Sequence, residues 1–176
     1  MARISVIILV VLCVGAGIFA FFKYEEKQKV SQINSFEECA ALYPVMESYP
    51  PQCITPDEKH FTQNIGNELE YSEEILISTP RPNQTIKNPL KIQGKAKGNW
   101  FFEGSFPAEL HDGNGKILGT GIMKTDSDWM TEEFVDFAGV IKYTLPEAKE
   151  GTLILKNDNP SGLPENQKEL KIPVKF

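Results

Sequence analysis

From residue 75 onward, apolar and polar residues alternate along most of the chain, and this pattern constrains the fold more than any other feature of the sequence. A period of two places one set of side chains on a buried face and the other in water, as in a half-buried β-strand. Turn residues rich in Pro, Asn, Asp and Gly separate the alternating runs. The positions predicted to be buried are Ile75 and Ile77; Leu90, Ile92 and Gly94; Phe106, Ala108 and Leu110; Ile141, Tyr143 and Leu145; and Leu170, Ile172, Val174 and Phe176.

Further strands are predicted at residues 117–124, 129–137 and 152–156, which brings the total to seven or eight. No long helical pattern interrupts them. Short strands in this number and at this spacing predict an all-β fold, namely an immunoglobulin-like two-sheet antiparallel sandwich. Pro173 cannot donate a backbone hydrogen bond, so the last strand is expected at the edge of a sheet.

The N-terminal residues 4–22 form a run of 19 residues without a charge, between Arg3 and Lys23. As a helix this run is roughly 28 Å long, close to the ~30 Å hydrocarbon thickness of a bilayer. We therefore predict residues 1–23 as a transmembrane anchor that contacts the lipid bilayer through residues 4–22. A cleaved signal peptide is the alternative, but the bulky residues at 19–22 do not fit its small-residue cleavage site.

The cysteines indicate in which cellular compartment the soluble part of the chain folds. Of the three in the sequence, Cys13 lies inside the apolar run, which leaves Cys39 and Cys53 as a pair. A pair with no spare cysteine predicts a disulfide and an oxidising compartment. This favours a single-pass protein of the cell membrane with an extracytoplasmic C-terminal domain. The charged residues that flank the apolar run do not decide its orientation in the membrane. Zinc binding by both cysteines and His60 is the alternative, although the spacing lacks a C-x-x-C pair.

The region between the anchor and the sandwich is predicted to contain a small module that the disulfide staples. Its helix begins at Ser35, which can cap the helix together with Glu38 three residues later. Residues from Asn64 are acidic and lack apolar periodicity, as in a linker. The predicted parts are thus a stalk at residues 24–34, a two-cysteine module at 35–63, a linker at 64–74 and the sandwich at 75–176.

Several multi-residue blocks in the predicted sandwich resemble the sequence pattern of a known domain family. They are ISTPRPNQTI at 77–86, NPLKIQG at 88–94, NWFFEGSFP at 99–107, GTL at 151–153 and NDNPSG at 157–162. Together they resemble the immunoglobulin-like domain family of bacterial spore germination, over roughly residues 75–176. The resemblance implies an immunoglobulin-like β-sandwich on the extracytoplasmic side of the membrane. It implies no catalytic residues.

Charge and residue content argue against several functions. The net charge is −6 and no stripe of Lys or Arg occurs, so binding to nucleic acid is not expected. His60 and His111 are the two histidines, and no Gly-x-Ser-x-Gly motif accompanies them. The segments at residues 112–114 and 126–128 could offer oxygen atoms to calcium, but neither has the glutamate at the twelfth position of a calcium loop, and both fit turns better. We therefore predict no enzyme activity, no cofactor and no metal.

Three consecutive aromatic residues at 100–102 are the strongest candidate for a binding surface. They cannot all face one side of a strand, so at least one is expected at the surface or under a loop. Alternatively, the first and third seal the end of the sandwich near Trp129. The polar loop 157–166 is expected to form the same rim. The candidate surface consists of Trp100, Phe101, Phe102, Asn159 and Ser161.

These features predict a membrane-anchored binding or structural module of the bacterial cell envelope. It is expected to mediate protein–protein or cell-wall interactions with an unknown envelope protein or cell-wall polymer. The alternatives are an accessory domain of an envelope hydrolase, a hydrolase with an unrecognised site, or a protease inhibitor built on the stapled loop.

Overall fold

The computed structural model describes residues 23–24 and 30–176. The predicted membrane-spanning run, residues 4–22, lies outside them, as do residues 25–29 of the predicted stalk. Within the described residues, no helix combines the length and apolarity that crossing a bilayer requires. The chain divides into two compact units, the first ending at Gln63 and the second comprising Asn64–Phe176.

The first unit, here called the cysteine module, contains one short helix and three short strands. Its antiparallel sheet has the order β1-β2-β3. Ser35 caps the helix as predicted, since its hydroxyl accepts a hydrogen bond from the backbone N–H of Glu38 at 3.1 Å. The elements are α1 (Phe36–Ala40), β1 (Val45–Met46), β2 (Gln52–Ile54) and β3 (His60–Thr62).

The predicted disulfide is confirmed. Cys39 at the end of α1 is bonded to Cys53 in β2, with their Cα atoms 6.0 Å apart. Both residues are fully buried and form a small core with Ile33, against which Phe36, Tyr43 and Phe61 pack. Because the sulfur atoms are joined, the thiolates needed for the alternative zinc site are not present.

The second unit, here called the sandwich, contains seven antiparallel strands in the order β10-β9-β6-β7-β8-β5-β4. Strands β7 and β8 are joined by a single residue pair, Lys124 with Ala138, whereas most other neighbours share long ladders. The strands are β4 (Ile75–Thr79), β5 (Leu90–Ala96), β6 (Ser105–Asp112), β7 (Ile117–Lys124), β8 (Val135–Ile141), β9 (Glu150–Lys156) and β10 (Glu169–Lys175).

The sheet folds over at this weak β7–β8 junction to give two layers, β4-β5-β8 and β7-β6-β9-β10. Phe106 of β6 and Phe137 of β8 meet across the layers, with ring centroids 4.9 Å apart. The predicted alternation is confirmed in β5, where every second residue is buried, and the same period is present in β6 and β10. The all-β sandwich is therefore confirmed, with β10 at one edge as Pro173 predicted.

Two predicted strands differ from the structure. The strand predicted at residues 129–137 begins only at Val135 and continues to Ile141. The alternation that follows, through Tyr143 and Leu145, is not a strand, and Leu145, which was predicted to be buried, is 72% exposed. There, the side-chain amide of Asn88 bonds both the carbonyl oxygen and the N–H of Tyr143, at 2.7 and 3.3 Å, and replaces a neighbouring strand.

Residues 64–74, predicted as a linker, pack against the sandwich over part of their length. Ile65 and Glu68 are buried. The side chain of Asn67 accepts a hydrogen bond from the N–H of Lys171 at 2.7 Å and donates one to the carbonyl oxygen of Glu169 at 2.9 Å. An asparagine side chain thus satisfies the free edge of β10, an interaction that leaves no periodic pattern in the sequence.

Candidate functional site

Three loops meet at one end of the sandwich, and we call this surface the loop end. The loops are residues 97–104 between β5 and β6, residues 125–134 between β7 and β8, and residues 157–168 between β9 and β10. Both other loops bond to the first one. Gly98 donates to the carbonyl oxygen of Thr131 at 3.1 Å, and Asp158 donates to that of Trp100 at 3.0 Å. Loops held together on a rigid sandwich are the usual place for binding residues.

The aromatic run at residues 100–102 is divided between the core and the surface. Trp100 is fully buried and packs edge-to-face against Tyr71 and Phe106, with centroid distances of 5.8 and 6.0 Å. Phe101 is also buried and packs on Phe106 at 5.2 Å. Phe102 is 43% exposed. The predicted binding surface is therefore wrong at Trp100 and Phe101, which no partner can contact without opening the core.

Local backbone geometry separates these three side chains. A 3-10 turn at Gly98–Trp100 directs the indole ring inward. A tight turn follows, in which Phe102 and Ser105 exchange backbone hydrogen bonds of 3.0 and 3.1 Å. Its two central residues, Glu103 and Gly104, have φ values of 50° and 70°, as two-residue hairpin turns require. Phe102 is thereby displayed at the tip of the loop.

The polar loop 157–168 uses its asparagine and serine side chains to hold its own shape. Asn157 accepts from the N–H of Lys168 at 2.7 Å and donates to the carbonyl oxygen of Asn166 at 2.9 Å. Asn159 donates to the carbonyl oxygen of Leu163 at 2.8 Å, and its side-chain oxygen accepts from the hydroxyl of Ser161. The predicted site residues Asn159 and Ser161 therefore shape the loop, and much of their bonding capacity is already used.

Each of the three loops of the loop end exposes one large apolar side chain. Phe102 is 43%, Met130 77% and Leu163 49% exposed. Sequence reasoning missed Met130 and Leu163 because neither belongs to an alternating or aromatic run. Together with Phe102 they provide apolar contact area on a surface that is otherwise polar.

The loop end is also strongly acidic. Its three loops carry seven carboxylates and only two ammonium groups. One ammonium, that of Lys168, is paired with Glu74, and the other, that of Lys97, lies 5.4 Å from the ring centroid of Phe134. This charge disfavours strongly anionic polymers as partners. The carboxylates are Glu103, Asp126, Asp128, Glu132, Glu133, Asp158 and Glu165.

The two histidines lie elsewhere. His60 is in β3 of the cysteine module. His111, in β6, has its Nε2 atom 2.8 Å from Oε2 of Glu109. The other carboxylate oxygen of Glu109, Oε1, accepts a hydrogen bond from Lys156 Nζ at 2.7 Å. The pKa of Glu109 is lowered below its usual range, chiefly by the hydrogen bond from Lys156. Desolvation of the carboxylate opposes this shift, and the hydrogen bond with His111 adds to it. That the protein is not an enzyme stays a prediction.

We expect Glu109→Gln to reduce the pH dependence of the sandwich's stability. A carboxyl whose pKa is lowered by folding stabilises the protein above its unfolded pKa of about 4.3, and this contribution disappears as the pH falls through the folded pKa. Urea unfolding at about pH 7 and about pH 3 should show a wild-type loss that exceeds the variant's by on the order of 1 kcal/mol. Glu147→Gln, at an exposed carboxyl, is the control; equal pH profiles for all three proteins would contradict the assignment.

Comparison with known protein families identifies a matching profile. The family profile described as the immunoglobulin-like domain of bacterial spore germination matches residues 74–162. That range contains six of the seven sandwich strands and most of the loop end. No curated protein and no solved structure matches the chain significantly.

Proposed function

Because this chain belongs to the immunoglobulin-like domain family of bacterial spore germination, we propose that it is a membrane-anchored binding module that holds a partner at the loop end of its sandwich. The family and the fold support a binding or structural module. The anchor, the envelope location and the partner are proposals. The observation that carries the binding site is the convergence of three loops, each with one exposed apolar residue.

Rigidity is the first support for binding at the loop end. The tight turn holds Phe102 in place, and the hydrogen bonds of Asn157 and Asn159 hold the loop that carries Leu163. A surface that is ordered before it meets its partner loses little conformational entropy on binding. Exposed aromatic and methionine side chains are also the residue types that interfaces favour.

Location outside the cytoplasm is supported by two features of the chain. The Cys39–Cys53 disulfide indicates an oxidising compartment. The uncharged run at residues 4–22 has the length of a membrane-spanning helix. We expect the native protein to remain in the membrane fraction after washing at high pH, and to be digested by protease added to intact protoplasts. Release into the medium would support a cleaved signal peptide instead.

A crosslinking experiment tests the binding site. We expect the full chain, expressed in its own cell envelope, to form a discrete crosslinked complex that the double change Phe102→Ala and Met130→Ala reduces by about tenfold, which corresponds to about 1.4 kcal/mol. The matched control is Leu145→Ala, since Leu145 is also exposed but lies beyond the loop end, after β8. A complex that forms equally in both variants would place the binding surface elsewhere.

A further inference from the structure

We propose that a groove across the outer face of the β4-β5-β8 layer binds a neutral, hydroxyl-rich glycan. The groove has a volume of about 460 Å³, within the range of ~300–1,000 Å³ typical of small-ligand sites. It borders the loop end and shares residues 125–127 with it, but none of the three exposed apolar residues of the loop end lines it, so we treat it as a separate site. We call it the sheet groove and define it by Ser78, Gln93, Lys124, Asp126, Ser127 and Asp136.

The strand register explains why a groove exists at this place. Gln93 of β5 is paired with Thr79 on one side and with Ala138 on the other, and Ala138 is paired with Lys124. Paired residues point to the same face of a sheet, so this row crosses four strands. The row is low because Ala138 is small and because Gln93 is flanked on the β4 side by short hydroxyl residues.

Longer side chains lie in the rows on both sides. Lys95 is paired with Leu76 and Asp136 in one neighbouring row, and Lys91 is paired with Val140 in the other. Residues 124–127, at the end of β7 and the start of the loop that follows it, line the groove on one side. On the other side β4 has a register shift between Ile77 and Thr79, which is a bulge at Ser78. Bulges re-aim side chains and are common next to binding sites.

The polar groups of the sheet groove are available to a ligand. Throughout the described part of the chain, the side chains of Ser78, Gln93, Lys124, Asp126 and Ser127 have neither a hydrogen bond nor an ion pair with the protein. In contrast, the loop 157–168 satisfies most of its polar side chains internally. Donors and acceptors therefore converge on one cavity with their bonding capacity unused.

The mixture of these groups indicates the chemical class of the ligand. The carboxylates of Asp126 and Asp136 disfavour an anionic ligand, whereas the ammonium group of Lys124 disfavours a cationic one. Asp136 is already paired with Lys95 at 3.6 Å, which partly neutralises its charge. Hydroxyl and amide groups such as those of Ser127 and Gln93 donate and accept, as sugar hydroxyls and acetamido groups do. A neutral glycan fits this balance better than an ion or an apolar molecule.

Binding of two defined glycans tests the proposal. The probes are N-acetylglucosamine tetramer in calorimetry and purified peptidoglycan sacculi in cosedimentation, each with the full chain in detergent. We expect Gln93→Ala combined with Asp126→Ala to weaken binding by about tenfold or more, because several hydrogen bonds are lost. Ala138→Trp should block binding while it leaves every polar group in place.

The matched control is Lys142→Ala, which removes an exposed lysine just after β8 that neither lines nor flanks the sheet groove, and it should leave binding unchanged. The proposal is overturned if the wild type binds neither glycan, if Ala138→Trp binds as the wild type does, or if the protein binds only Ca²⁺. The double change Phe102→Ala and Met130→Ala should retain glycan binding, so that failure of the loop-end site and failure of the sheet groove give different results.

Discussion

Replacing Trp100 with alanine is expected to lower the free energy of unfolding of the sandwich by about 3–5 kcal/mol. The indole ring is fully buried and makes edge-to-face contacts with Tyr71 and Phe106. Its removal leaves a cavity in the core and abolishes both ring contacts. Part of the loss is offset, because the indole N–H is buried without an acceptor among the described residues. Urea unfolding followed by circular dichroism measures the change.

The control for this variant is Phe102→Ala, two residues away. Phe102 is 43% exposed, so its replacement should change stability by no more than about 0.5–1 kcal/mol. The comparison decides how binding data are interpreted, because lost binding in Trp100→Ala would reflect an unfolded domain and not a missing contact. A Trp100→Ala protein as stable as the wild type would mean that the indole ring is not part of the core.

Reduction of the Cys39–Cys53 disulfide is expected to unfold the cysteine module. The bond closes a loop with a sequence separation of 14, and the chain-entropy model assigns about 3 kcal/mol to a loop of this size. Apart from the two cysteines, the core of the module contains Ile33 and three partly buried aromatic residues. So small a core cannot replace the covalent link, since the backbone of each ordered residue costs roughly 1–2 kcal/mol in conformational entropy.

Hydrogen exchange measured by mass spectrometry tests this expectation. After reduction, or in Cys39→Ser with Cys53→Ser, the amides of α1 and β1–β3 should lose their protection, whereas those of β4–β10 should keep it. Cys13→Ser is the matched control, because it removes the remaining cysteine without touching the disulfide. Protection that persists in α1 and β2 without the bond would show that packing alone holds the module.

Much of the strand content was predictable because burial in a half-buried strand is a local, period-two property. In β5 the alternation of Leu90, Ile92 and Ala96 with lysine and glutamine corresponds residue by residue to burial. The cap at Ser35 and the disulfide were predictable for similar reasons. A cap depends on residues three positions apart, and two soluble-part cysteines allow only one pairing.

The sequence did not predict the places where a side chain takes the hydrogen-bonding role of a neighbouring strand. It also did not predict which aromatic residues a turn directs into the core and which it leaves at the surface. Nothing in the local pattern around Tyr143 shows that Asn88, 55 residues away, supplies its hydrogen bonds. Likewise, Asn67 satisfies the edge of β10 across 104 residues in a segment without apolar periodicity. Such contacts depend on which segments become neighbours, and that is a property of the whole fold.

The alternation of apolar and polar residues from residue 75 onward determined the fold class, the approximate position of most strands and their buried faces. The tertiary structure alone decided which residues can meet a partner. It buried Trp100 and exposed Phe102 through a 3-10 turn and a hairpin turn. It also brought three loops to one end and aligned Gln93, Ala138 and Lys124 in one row. Alternation is set by neighbours along the chain, whereas a surface is set by strand order and register, which join residues distant in sequence.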